Sequence, residues 1–258
     1  MNVNGKSISS LDLSEKGIEQ LDFIKEKSHV QELNLSQNPF TDISPLVELK
    51  FLTRLELNYN DLSDISPLAH LKNLTYLVLS GEQPIDITPL GELEHLAHLE
   101  IKYHPLTDLS PLSHLTQLNH LSLINTRITD ISPLYGLTEL TDLRIFHNSI
   151  NDISSLSGMI HLKQLSMGNN KIVDISPLKE LMNLMELGLK KNQITDTSTL
   201  KYLHNLNRLY LGSNPVSDYS PLGEMINLKF LHLDRNQISP EQKKKLNRIL
   251  PGLAIYME

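Results

Sequence analysis

LTRLELNYNDLSDISPLAHL, residues 52–71, is the unit from which nearly all of this chain is built. It holds a Leu-x-x-Leu-x-Leu run ending at Leu57, then Asn60, then Asp64-Ile65-Ser66-Pro67-Leu68 and a closing Leu71. Counting forward from Asn60 in steps of 22 reaches Glu82, His104, Thr126, Asn148, Asn170, Asn192, Asn214 and Asn236; counting back reaches Asn38 and Lys16. No insertion or deletion breaks the register. An unbroken period of this length marks stacked supersecondary units rather than separate globular domains. The expected organisation is a polar lead-in over 1–7, eleven repeat turns over 8–238 and a helical cap over 239–258, the first turn degenerate and the last partial.

In each turn the Leu-x-Leu segment alternates apolar and polar residues, the period-2 pattern of a half-buried strand. Leu33, Leu55, Leu77 and their equivalents through Leu231 point to one side, as do the partners two residues on. One short strand cannot bury its leucines, but a stack of copies can, and each fully buried Leu contributes ~1.5–3 kcal/mol. The Asn that follows has a different task. Its amide both donates and accepts, so it can satisfy backbone groups left without a ladder partner where the chain turns out of the strand. In Asp-Ile-Ser-Pro-Leu, Ser before Pro reads as an N-cap, and the few residues before the next strand leave room for a short 3₁₀ segment. Ser239-Pro240-Glu241-Gln242 starts a longer helix with Leu246, Ile249 and Leu250 on one face; Pro251-Gly252 ends it, and 253–256 can add a last strand. The Asn series breaks at Glu82, His104 and Thr126. An ionised Glu cannot donate and Thr has a single hydroxyl, so a locally altered coil is expected there, with Pro84 and Pro105 at its edge.

The unit L-x-x-L-x-L-x-x-N-x-I-x-D-I-S-P-L-x-x-L-x-x closely resembles the 22-residue leucine-rich repeat of bacterial internalins, and is similar to that of the regulatory subunit of type 1 protein phosphatase. The resemblance covers about nine-tenths of the chain, residues 8–238. It implies an α/β repeat fold: a right-handed leucine-rich-repeat solenoid, a parallel β-sheet on the concave face, a short 3₁₀ or irregular convex side and a C-terminal capping helix. It also implies protein ligands and a bacterial source. Two further roles follow from it as alternatives: an enzyme's regulatory or inhibitory subunit (phosphatase-regulator-like or toxin-immunity-like), or a fragment of a surface adhesin.

Composition narrows the function classes. A formal net charge of −7 argues against a general nucleic-acid binder, which needs a basic face for phosphates. With no cysteine there is neither a disulfide nor a Cys-based zinc site. The N-terminus shows no apolar leader and no run is long enough to span a membrane, so a cytoplasmic protein that is monomeric when alone is expected. HExxH, GxxxxGK[ST], GxGxxG and GxSxG are all missing, so no enzyme activity and no cofactor are expected.

The informative positions are those that the repeat leaves free. Outward-facing residues beside the leucines include Tyr76, Val78, His98, Glu100, Tyr103, His120, Ile124, Arg144, Phe146, Tyr210, Phe230 and His232. The fold does not require exposed aromatics there, and aromatics with Arg are common interface anchors. These twelve are the expected contacts for a protein partner of unknown identity. Acidic groups dominate the face up to Lys102, whereas Arg144, Lys190, Lys191, Arg208 and Arg235 dominate beyond it. His98 and His120 are neighbours in one row with Asp142 next, an arrangement that could hold a divalent metal. The preferred reading of these histidines is membership of the binding face, and no metal site is assigned.

Overall fold

The computed structural model describes residues 10–235 and 238–257. The lead-in 1–7 and the last residue of the Asn series, Asn236, lie outside them. The chain divides into two compact units, one up to residue 127 and one from 128 on.

The first unit carries six parallel strands in chain order: β1 (Ser10–Asp12), β2 (Glu32–Asn34), β3 (Arg54–Asn58), β4 (Tyr76–Ser80), β5 (His98–Lys102) and β6 (His120–Ile124). The second carries β7 (Asp142–Arg144), β8 (Gln164–Ser166), β9 (Glu186–Gly188), β10 (Arg208–Tyr210), β11 (Phe230–Leu233) and β12 (Ala254–Met257). Register follows the 22-residue step. Leu11 pairs with Leu33, Leu33 with Leu55, and so on to Leu99 with Leu121. In the second unit Leu143 leads through Leu165, Leu187 and Leu209 to Leu231, which pairs with Ile255. The leucines from Leu33 to Leu231 in this row are at most 2% exposed. The architecture is that of leucine-rich repeats.

At Asn38, Asn170, Asn192 and Asn214 the amide ties two successive turns. The Asn170 amide donates to its own turn at Met167 O (3.0 Å) and to the preceding turn at Ile145 O (2.9 Å), while its Oδ1 accepts from Ile150 N (3.1 Å). Asn192 and Asn214 repeat this one and two turns on. Asn38 does the same in the first unit, bonding Leu35 O and Leu13 O and accepting from Ile18 N.

A 3₁₀ segment crosses the far side of each turn, as at Ser44–Glu48 and Ser66–His70. Its cap differs from the expected Ser. Asp42 Oδ1 accepts from Ser44 N (2.7 Å) and Oδ2 accepts from the Ser44 hydroxyl (3.0 Å), so Asp is the capping acceptor and Ser the second donor. The reason is geometric. A short Asp side chain reaches the N–H two residues on and closes an Asx-turn ahead of Pro. The C-terminal helix α1 (Pro240–Ile249) does use Ser: Ser239 Oγ accepts from Gln242 N and Gln242 Oε1 accepts from Ser239 N, a capping box. Leu246 and Leu250 are buried beneath it, whereas Ile249 stays 47% exposed.

At the break in the Asn series the coil is altered. The residue before the Asn position is left-handed in Glu15, Gln37, Tyr59, Tyr103, Asn125, His147, Asn169, Lys191 and Ser213. Gly81, the glycine in this row, is not left-handed. Its glycine serves space. A Cβ there would lie 2.7 Å from His104 Cε1 and 3.0 Å from Asn60 O. His104 is 2% exposed, its Nδ1–H donates to Gln83 O at 2.6 Å, and burial lowers its pKa, which keeps the ring neutral. Glu82 swings out to solvent and His104 occupies the interior instead.

Two outcomes are expected. Gly81→Ala overpacks this site by about 1–3 kcal/mol, and the cost shrinks in a His104→Asn background; a double-mutant cycle of unfolding midpoints with no coupling would refute the ring–glycine contact. The second concerns acid. The N–H and hydroxyl of the Ser or Thr two residues on hold Asp42, Asp64, Asp86, Asp108, Asp152, Asp196 and Asp218 below the ordinary carboxylate pKa. Carboxylates depressed in the folded state stabilise it above their unfolded value near 3.8, and that contribution disappears as pH falls through the folded values. The melting temperature therefore drops below about pH 4, and Asp86→Asn flattens this drop while lowering the neutral-pH value.

Candidate functional site

Because register is uniform, side chains at equivalent positions line up in rows across the strands. The row before the first inward Leu builds a continuous stack in the first unit. The Arg54 guanidinium lies 3.5 Å from the Tyr76 ring centre, Tyr76 stacks on His98 at 4.1 Å and 13°, and His98 stacks on His120 at 4.0 Å and 4°. Glu56 fixes one end, accepting two hydrogen bonds from Arg54 (2.7 and 3.1 Å).

Glu100, two residues past His98 on the same strand face, reaches both histidines. Its Oε1 is 3.0 Å from His98 Nε2 and 3.7 Å from His120 Nε2, while Oε2 is paired with Lys102. The hydrogen bond from His98 is the largest influence, and with Lys102 it outweighs burial to hold the Glu100 carboxyl down at about 2. Among the described residues, His98, Glu100 and His120 are the group whose ligand atoms converge for a metal, all within 4.8 Å of one another. Asp142, the third member expected from the row, instead pairs with Arg144 (2.8 and 3.1 Å) within the second unit.

The second unit presents a hollow of about 370 Å³ on its sheet face. Phe146 and Tyr210 wall it, Ser166 and Gly188 form its floor, and Lys190, Lys191 and Glu186 supply the charged groups of its lining. It exists because two neighbouring strands, β8 and β9, carry small residues, Ser166 and Gly188, between Arg144 on β7 and Tyr210 on β10. A Cβ on Gly188 would meet nothing closer than Ser166 Oγ at 3.4 Å, an ordinary contact, so that glycine is not there to relieve a clash. Beyond Tyr210 an aromatic cluster continues: Phe230 lies 5.4 Å away and Tyr256 6.4 Å from Phe230, with His232 5.4 Å from Tyr256.

The sequence-derived residues thus separate into groups. Tyr76, His98, Glu100 and His120 come together in one cluster, with Tyr103 stacked on Tyr59 at 6.4 Å and Ile124 at the end of β6. Phe146 and Tyr210 share the hollow, Phe230 and His232 join the aromatic cluster, and Arg144 is engaged with Asp142. Val78 and His232 face outward but are only 4% and 7% exposed, so each offers little surface. Tyr256 was missed. Its signal was the expected final strand, whose pairing sets Tyr256 opposite His232. The glycine-floored hollow was also missed, since no single residue announces it.

Residues 29–48 match the Leucine Rich Repeat family model, and 50–98 and 138–180 match Leucine Rich repeats (2 copies). A search of the curated proteins finds no match. Among solved structures, the internalin InlF of Listeria monocytogenes superposes with a TM-score of 0.91 at 35% identity, covering 98% of this chain and 74% of that one. Internalin C2 of the same species gives 0.63 at 32% identity, over 81% and 83%. The ectodomain of the plant receptor kinase GASSHO1/SCHENGEN3 from Arabidopsis thaliana, solved with CASPARIAN STRIP INTEGRITY FACTOR 2, shares the fold at 20% identity and a TM-score of 0.73, over 98% and 36%. With repeat period, strand register and buried leucines all in agreement with the likeness to InlF, the chain belongs to the internalin family of leucine-rich-repeat proteins.

Proposed function

We propose that the eleven-turn array over 8–238 is a non-catalytic module that binds a protein partner on its sheet face, with the hollow between Phe146 and Tyr210 as the anchor point. The hollow carries this reading. It has aromatic walls, a floor without side-chain bulk, and Lys190, Lys191 and Glu186 in its lining, which suits an apolar partner side chain flanked by charged residues, acidic ones toward the lysines. Buried aromatic anchors in desolvated pockets dominate interface energetics, while rim charges mainly steer approach. Arg144 contributes by orientation, since it enters the interface already paired with Asp142. The Arabidopsis receptor ectodomain, solved with its factor bound, lends support at the level of the fold. Among the described residues no helix is long and apolar enough to cross a membrane.

The internalin likeness favours one second reading, that the module is a fragment of a surface adhesin. It uses the same face and differs only in where the partner resides.

Gly188→Leu fills the hollow without a backbone clash, so the variant folds with an unchanged melting temperature. Partner capture by the immobilised chain, quantified by mass spectrometry and then by titration of the identified protein, weakens by about 10–100-fold, or ~1.4–2.8 kcal/mol. Lys190→Glu weakens it further at low salt. Undiminished affinity in Gly188→Leu would remove the hollow from the interface.

A further inference from the structure

We propose that His98, Glu100 and His120 form a binding site for a divalent transition metal of the zinc or nickel class, with one coordination position open to solvent. The site rests on the first unit alone and is independent of the hollow proposed as the partner's anchor.

Strand register brings the three donors together. His98 and His120 are paired across β5 and β6, and Glu100 sits two residues beyond His98 on the same face. Tetrahedral zinc with bonds of about 2.0–2.2 Å holds its ligand atoms roughly 3.3 Å apart. The two separations from Glu100 Oε1, 3.0 Å to His98 Nε2 and 3.7 Å to His120 Nε2, bracket that value. The carboxylate divides its work. Oε2 is occupied by Lys102, which leaves Oε1 turned toward the imidazoles. Side-chain exposures of 21%, 15% and 14% for His98, Glu100 and His120 make the site sheltered yet reachable from solvent. Two imidazoles with one carboxylate suit zinc or nickel far better than calcium or magnesium, which take all-oxygen shells.

A second observation points to a ligand at the same place. Ser122 stands opposite Glu100 in the strand pairing and is 1% exposed, yet its hydroxyl has no hydrogen-bond partner among the described residues. A metal-bound water in the open position would supply one. Buried polar groups are almost always satisfied, so an orphan beside three convergent donors is informative.

Binding requires one movement. The two imidazoles lie 4.0 Å apart and within 4° of parallel, so their ring-plane lone pairs run side by side. For both to point at one ion, the rings must turn toward each other. Tyr76, packed on the far face of His98 at 4.1 Å and itself covered by Arg54, resists displacement of His98.

The test is isothermal titration of the full chain, stripped with EDTA, against zinc chloride alone. We expect one zinc per chain with micromolar or tighter affinity. Glu100→Gln and His120→Gln should each weaken it at least ~10-fold, and His161→Gln, on an exposed loop histidine, should leave it unchanged. Melting temperatures in EDTA show that each variant is folded; if His120→Gln is not, His98→Gln takes its place. Cobalt substitution gives a second readout: visible absorption of a four-coordinate site in the native chain, lost in Glu100→Gln. No zinc uptake at about one hundred micromolar, or uptake undiminished in both Glu100→Gln and His120→Gln, would overturn the proposal.

Discussion

The asparagine amide that bonds its own turn and the preceding one is the interaction on which the rest of this structure depends. Without it, each turn that carries the Asn would leave carbonyls and N–H groups in the interior with no partner, each at a cost of about 1–3 kcal/mol. Asn170, Asn192 and Asn214 meet that demand with both ends of the amide, and each does so across two turns. The leucine stack has the same property. Leu165 is buried because Leu143 and Leu187 are paired on either side of it. Both terms are nearest-neighbour terms, so one turn has no stability of its own. An insertion of a single residue would uncouple the two, because it would shift amide and leucine relative to their neighbours at once.

That strictness inside has a consequence outside. A constant 22-residue step forces the outward side chains into rows with a fixed spacing close to the strand separation, about 4.8 Å. Flat rings on adjacent strands are then almost obliged to stack, and Tyr76, His98 and His120 do so at 4.0–4.1 Å. Small residues on adjacent strands create a recess just as directly, which is how Ser166 and Gly188 open the hollow beneath Phe146 and Tyr210. Neither feature needs a specialised loop. Each is a local choice of side-chain size and shape, made on a surface whose geometry the core has already set.

This division explains what could be read from the residues alone. Period, strands, buried leucines and the Asn bonds were legible, because each is a one-residue property repeated at a constant interval. The two-part helix cap was legible for the same reason at short range, in Ser239 and Gln242. The 3₁₀ caps were misjudged because Asp and Ser are both good capping residues. Only the actual distances, Asp42 Oδ1 to Ser44 N at 2.7 Å, decide between them. Exposure at Val78 departs from the expectation, since alternation predicts direction but not depth of burial. The hollow was invisible because it is a property of at least three strands together, and the meeting of Glu100 with His98 and His120 was invisible because it joins two rows rather than one.

The break in the Asn series shows how the inner and outer layers communicate. His104 replaces the amide with a ring that is too large for the standard turn, and the chain accommodates it by placing a glycine at residue 81 and abandoning the left-handed conformation there. In the first unit β3, β4, β5 and β6 each run to five residues, whereas β7, β8, β9 and β10 stop at three. The two extra residues carry Lys102 into the strand, on the face of Glu100. There its ammonium takes one carboxylate oxygen and leaves the other for the imidazoles. The altered turns and the His98–Glu100–His120 cluster therefore belong to one structural departure. A chain that breaks its most regular internal position has, in the same strands, gathered the side chains best suited to chemistry with an ion.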